Sequence, residues 1–118
     1  MANYLLLIME PVGQRRERTE DEGRELYDQM LRFSESLKER GLLQLSQSLR
    51  TDADAVRVEI RQERCRQIDG PFAESKEMVG GFFLLKCQDK AQAVEIAAAC
   101  PAARWATVEV RELGPCFS

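Results

Sequence analysis

Two apolar runs limit the folds open to this 118-residue chain. Tyr4 to Met9 is apolar at every position, and between Gly81 and Cys87 the residues Phe82 and Leu84 point opposite to Phe83 and Leu85. Successive side chains of an extended strand face opposite ways, so each run predicts a strand that must be covered on both sides. The cover has to come from the rest of the chain or from a partner.

The rest of the chain supplies two helices and four further strands. Thr19 and Glu22 are spaced as a capping box, and Leu26, Met30, Phe33 and Leu37 then fall at i, i+4, i+7 and i+11, one stripe of an amphipathic helix that Gly41 ends. Charged residues at 24, 25, 28, 32, 35, 38, 39 and 40 fill the opposite side and place this helix on a surface. Leu42 to Leu49 gives a weaker strand signal, and Thr51 to Asp54 is a polar break. Val56, Val58 and Ile60 alternate with Arg57, Glu59 and Arg61, the mark of a strand with one wet face, and a hairpin partner follows from Arg64 to Ile68. Asp89 is placed to cap a second helix carrying Ala93, Val94, Ile96, Ala97 and Cys100 on its inner side, with Pro101 as its stop. A last strand, Trp105 to about Arg111, sets Ala106, Val108 and Val110 on one face and Trp105, Thr107, Glu109 and Arg111 on the other.

The order is β-α-β, an inserted hairpin, then β-α-β, which predicts a ferredoxin-like α+β sandwich, one domain over residues 1–118. Two helices cover only one face of an antiparallel sheet. The second faces of the two apolar strands would then form more contiguous apolar surface than a soluble monomer usually tolerates, and this predicts a two-fold homodimer paired sheet to sheet.

Composition removes several function classes. The net charge is −3, and Arg15, Arg16 and Arg18 are interleaved with Glu17, Glu20, Asp21 and Glu22, so no one-sign patch points to nucleic acid. The opening MANYLLLIME has a short apolar run with no basic lead and closes on a glutamate, so neither a signal peptide nor a membrane span is expected and the expected location is cytoplasmic. Cys65, Cys87, Cys100 and Cys116 lie 22, 13 and 16 residues apart, without a Cys-x-x-Cys pair, and read as reduced, mostly buried thiols. The chain has no histidine, which excludes a Ser-His-Asp or Cys-His engine and a zinc site built on imidazole. Chemistry falls to Asp, Glu, Lys, Tyr, Cys or a bound cofactor, and no metal or cofactor motif is read.

Candidate site residues gather in IDGPFAESKEMVGG, Ile68 to Gly81, a connection longer than a plain turn requires. Asp69, Gly70 and Pro71 suffice to turn the chain, with Phe72 expected to plug the end of the core. Asp69 then has two readings: a turn carboxylate bonded to nearby backbone N–H groups, or a base at a cleft rim. Glu74, Lys76 and Glu77 are either solvated surface or groups that grip a polar substrate. Glu109 and Arg111 share a strand face, as an ion pair or as cleft residues, and Tyr4 offers a phenol. Cys65 and Cys87 lie in predicted strands, and no histidine is present to activate a thiolate there.

DGPFAESKE at 69–77, GGFFLLKC after it, CPAARWATVEVREL at 100–113, the opening YLLLI and the first helix together resemble the DGPF branch of the YCII-related family over nearly the whole chain. The resemblance implies a ferredoxin-like subunit that pairs into a dimeric α+β barrel, with a ligand in the cleft of each subunit. Some members resembling this branch are encoded with or fused to sigma factors of the extracytoplasmic-function type. YCII-like relatives carry a His and Asp pair, which a chain without histidine does not reproduce.

Two functions stay open at this level. One is a dimer that binds a small organic molecule and moves a proton, with Asp69 or Glu77 as base, Lys76 or Arg111 as charge stabiliser, and Tyr4, Glu74 and Glu109 among the ligand-binding groups. The other is a non-catalytic dimeric regulatory or binding module with a transcription-related protein partner, in which the ESKE loop is a contact surface.

Overall fold

A computed structural model describes residues 1–118. Strands β1 (Ala2–Pro11), β2 (Leu43–Ser48), β5 (Glu77–Cys87) and β6 (Thr107–Glu112) form an antiparallel sheet in the order β2-β5-β1-β6, with helices α1 (Glu20–Glu39) and α2 (Lys90–Ala99) in the connections. This is the ferredoxin-like arrangement expected from the element order. Strands β3 (Val56–Arg61) and β4 (Arg64–Asp69) pair only with each other, as a hairpin outside the sheet. No helix is long and apolar enough to cross a membrane.

Local chemistry sets the helix ends. The Thr19 hydroxyl accepts from the Glu22 N–H at 3.1 Å while the Glu22 carboxylate accepts from the Thr19 N–H at 2.9 Å, completing the capping box. At the other end Gly41 takes φ +71°, and the N–H groups of Gly41 and Leu42 reach back to the carbonyls of Lys38 and Leu37, a Schellman closure. Asp89 caps α2 by accepting from the Gln92 N–H at 2.9 Å.

Tyr4, Leu6 and Ile8 of β1 and Phe83, Leu85 and Cys87 of β5 point to the helices and form the core with Leu37, Ala93, Ile96 and Cys100. Val94 does not join them; it is 48% exposed, one position off the buried stripe of α2. The opposite sheet face carries Leu5, Leu7, Phe82 and Leu84, each half-buried, and Leu45, 46% exposed, with no helix over them.

The hairpin departs from expectation. Its apolar face packs on nothing in the chain: Val56, Val58 and Ile60 are 51%, 62% and 64% exposed. The charged face is anchored to the rest of the chain at Arg57, whose guanidinium lies 3.7 Å from the centroid of the Phe72 ring and whose Nη2 donates to Ser75 Oγ at 3.3 Å, while Arg61 and Arg66 on that face are 73% and 70% exposed. Phe72 is buried, yet under Arg57 and outside the main core cluster, so it does not plug the end of that core.

Gly70 is needed for space, not for a positive φ, because a Cβ there would run into the Asp52 carbonyl. Two of the four cysteines, Cys65 and Cys116, are exposed, which corrects the expectation of mostly buried thiols. The shape follows from the projecting hairpin and the open sheet face. A compact chain of 13.5 kDa exposes about 6,500 Å², whereas this one exposes 8569 Å². Its radius of gyration is 16.1 Å, against about 13.5 Å for a compact domain of this length.

Candidate functional site

Packing of α1 on the sheet is uneven along its length. Leu37 near the C-terminal end is 1% exposed, and Phe33 meets Phe83 edge to face with centroids 5.4 Å apart. Toward the N-terminal end Met30 and Leu26 are only half-buried, and Leu31 and Tyr27 are 49% and 51% exposed. The helix and sheet therefore separate there and leave a cleft of about 640 Å³, within the range of small-ligand pockets. Ile8, Leu26, Met30, Phe83 and Trp105 supply its apolar walls, and the hydroxyls of Ser34 and Ser46, 3.1 Å apart, lie along one side.

Glu10 lines the same cleft. It is 5% exposed and is the one buried charged residue of the chain. A carboxylate so placed is costly unless it is paired, and Arg15 pairs it directly. Arg15 comes from a short 3-10 turn, Gln14–Glu17, which the chain enters through Gly13 at φ +88°. The turn is tied down by the Gln14 amide, whose Nε2 donates to the Trp105 carbonyl at 2.7 Å. Arg15 Nη2 also approaches the Gly80 carbonyl at 3.4 Å.

Room for the pair comes from a β-bulge. Ile8 lies opposite Gly81, but Met9 lies opposite Val79, so Gly80 is the extra residue. A Cβ on Gly80 would overlap the Glu10 carboxylate and come within 3.1 Å of Arg15 Nη2. Gly81 serves a second close approach, since its Cβ would lie 2.9 Å from the Gln47 carbonyl of β2. Gly80 thus seats a charge at the end of an apolar strand.

None of the seven residues expected from the sequence lines this cleft. Tyr4 is in the core, where burial, with Glu112 adding to it, pushes the phenol above its ordinary 10.0. Asp69 is exposed at the end of β4, opposite Val56, and its carboxylate accepts no hydrogen bond. The turn carboxylate is Asp52, whose Oδ2 accepts from the Phe72 N–H at 3.1 Å. Glu74 and Lys76 are exposed in the loop that follows, and Glu77 is exposed at the start of β5 opposite Pro11. Glu109 and Arg111 form a same-face pair at 3.9 Å. Trp105, expected on their face, precedes β6 at the end of a 3-10 turn, which aims its ring into the cleft.

Glu10 and Arg15 are the residues that sequence reasoning missed. A signal existed for Glu10, because the period-two alternation that buries Tyr4, Leu6 and Ile8 carries on to position 10. Arg15 had no such mark within its mixed-charge run. The family model of the YCII-related domain matches residues 6–116, a span that contains every residue of the cleft. No curated protein matches the chain.

Proposed function

The chain belongs to the YCII-related family, and from that premise we propose that it binds a small organic molecule in the cleft under α1 and moves a proton of that ligand with Glu10. The observation that carries this reading is a buried carboxylate beside the apolar walls of Ile8, Leu26, Met30, Phe83 and Trp105, in a cleft that Arg18, Glu20 and Arg24 also line. The walls take an apolar body, while Glu10 meets a polar, proton-bearing position of the ligand. Arg15 has two roles. It balances the Glu10 charge in the resting protein, and it holds negative charge left on the ligand when Glu10 has taken a proton. Return of that proton to a second position of the ligand completes an isomerisation with no other reactant. No step is placed on Asp69, Lys76 or Glu77.

The working form in this proposal is a homodimer paired through the open sheet face. About 2,000 Å² of exposed surface beyond that of a compact chain, with Leu5, Leu7, Phe82 and Leu84 on one face, supports it. Analytical ultracentrifugation that finds only monomer at micromolar concentration would exclude this part.

Trp105 is the sole tryptophan and lines the cleft, so its fluorescence reports occupancy. A library of small organic acids, enols and amides is screened by thermal shift, and each hit is titrated against Trp105 emission. We expect a hit that moves both signals and loses affinity or turnover in Glu10→Gln. A library in which no compound moves both, or hits indifferent to Glu10→Gln and to Arg15→Met, would sink the proposal.

A further inference from the structure

The β3–β4 hairpin projects from its own domain with its apolar face uncovered. Arg57, on the charged face, is held by the Phe72 ring and Ser75, while Glu59 on that face is shared by Arg61 at 3.5 Å and Arg66 at 3.4 Å. Those contacts pair the charged face within its own chain. The other face presents Val56, Val58 and Ile60 with Asp69, Gln67 and Cys65 as their cross-strand neighbours, all exposed. An isolated two-stranded hairpin is marginal at best in water, and further strands or a packed face are what stabilise it.

We infer that this hairpin is an arm exchanged between two copies of the chain, its Val56, Val58 and Ile60 face packing on the second copy and not on its own domain. The inference rests on the homodimer proposed above and adds a second contact region to it. Three observations select a second copy as the occupant. The excess surface of about 2,000 Å² per chain matches the share that each partner loses in a large obligate interface. In that homodimer the sheet faces of Leu5, Leu7, Leu45, Phe82 and Leu84 cover each other and hold the two domains together, which sets each arm against the other copy. Two-fold symmetry then satisfies both arms with one operation, because whatever one arm contacts on its partner, the partner's arm contacts in return.

Cys65 sits opposite Ile60 in the register and serves as an internal reporter. The full chain is examined by sedimentation equilibrium and by alkylation of Cys65, in the wild type and in Ile60→Lys, Val58→Lys and Leu7→Lys. The arm residues lie outside the core of their own domain, so these substitutions leave the fold intact, which circular dichroism verifies. We expect a wild-type dimer with Cys65 protected, and in Ile60→Lys and Val58→Lys a dimer weakened by about tenfold or more with Cys65 reactive. If Leu7→Lys dissociates the dimer while both arm variants associate as the wild type does, the arm inference fails and sheet pairing stands. A dimer whose Cys65 reacts at the rate of a free thiol also overturns the arm. A monomeric wild type overturns both.

Discussion

Gly80 has no side chain in the space where Glu10 places its carboxylate. The glycine is the bulge residue of β5, and the glutamate is the last inward position of β1, so the two strands cooperate to bury one charge beside one cleft. Gly80→Ala should force the Glu10–Arg15 pair apart or bend the bulge, at a cost of about 1–3 kcal/mol from overpacking. Urea unfolding measures it. A loss below about 0.5 kcal/mol, the scale of an ordinary surface change, would mean that the bulge yields freely and does not fix the pair.

Arg15→Met leaves the Glu10 carboxylate buried without its partner. Arg15 is itself 31% exposed, so the expected cost is about 2 kcal/mol, below that of breaking a fully buried pair. The double variant Glu10→Gln with Arg15→Met should recover part of that loss, because an amide tolerates the site better than an unpaired charge. A double-mutant cycle with no coupling would show that the pair is not energetically linked.

Asp52, and not Asp69, is the carboxylate bonded to the backbone of the turn. Asp52→Ala removes the acceptor for the Phe72 N–H and should cost about 1 kcal/mol. Asp69→Asn removes a solvent-exposed charge without a partner and should change stability by less than about 0.5 kcal/mol. Thermal unfolding of the two variants side by side gives the comparison, and the reverse ranking would contradict the placement of both residues.

The capping box should be visible in the pH dependence of stability. Hydrogen bonds from the Thr19 backbone and hydroxyl hold the Glu22 carboxyl below its ordinary 4.5 in the folded chain. A folded pKa below the unfolded one gives a contribution present above 4.5 and lost as pH falls through the folded value. The stability gap between wild type and Glu22→Gln should therefore close on acidification. At the alkaline end, the raised Tyr4 phenol gives a contribution present below 10.0 and lost as pH rises past it, so Tyr4→Phe should flatten the alkaline limb. A gap that is constant in pH would remove either assignment.

Burial pushes the Cys87 and Cys100 thiols up, desolvation being the main cause for each. Both should stay unreactive to an aromatic disulfide reagent at neutral pH until the chain unfolds, while the exposed Cys116 reacts at once. Mass spectrometry of the labelled peptides separates them. Early labelling of Cys87 would show that the β5 end of the core opens in the native state.

Most of the fold was legible because it rests on local signals. The capping box at Thr19, the stripe from Leu26 to Leu37, the stop at Gly41 and the Asp89 cap each act within a few residues, and each appears where the sequence puts it. The doubly apolar strands required two covers, and the α helices are one of them. What the tertiary structure decided is where long-range geometry meets charge. Glu10 is buried because Gly80, seventy residues on, lacks a side chain, and Arg15 reaches it because a turn folds back over the strand end. The cleft opens because α1 leaves the sheet at its N-terminal half, although its apolar stripe is even along the helix. Alternation in β3 predicted that one face would be apolar, but not that Arg57 would turn inward onto Phe72 and send Val58 and Ile60 out. Period two says which residues share a face, whereas the direction a face points is a property of the packing.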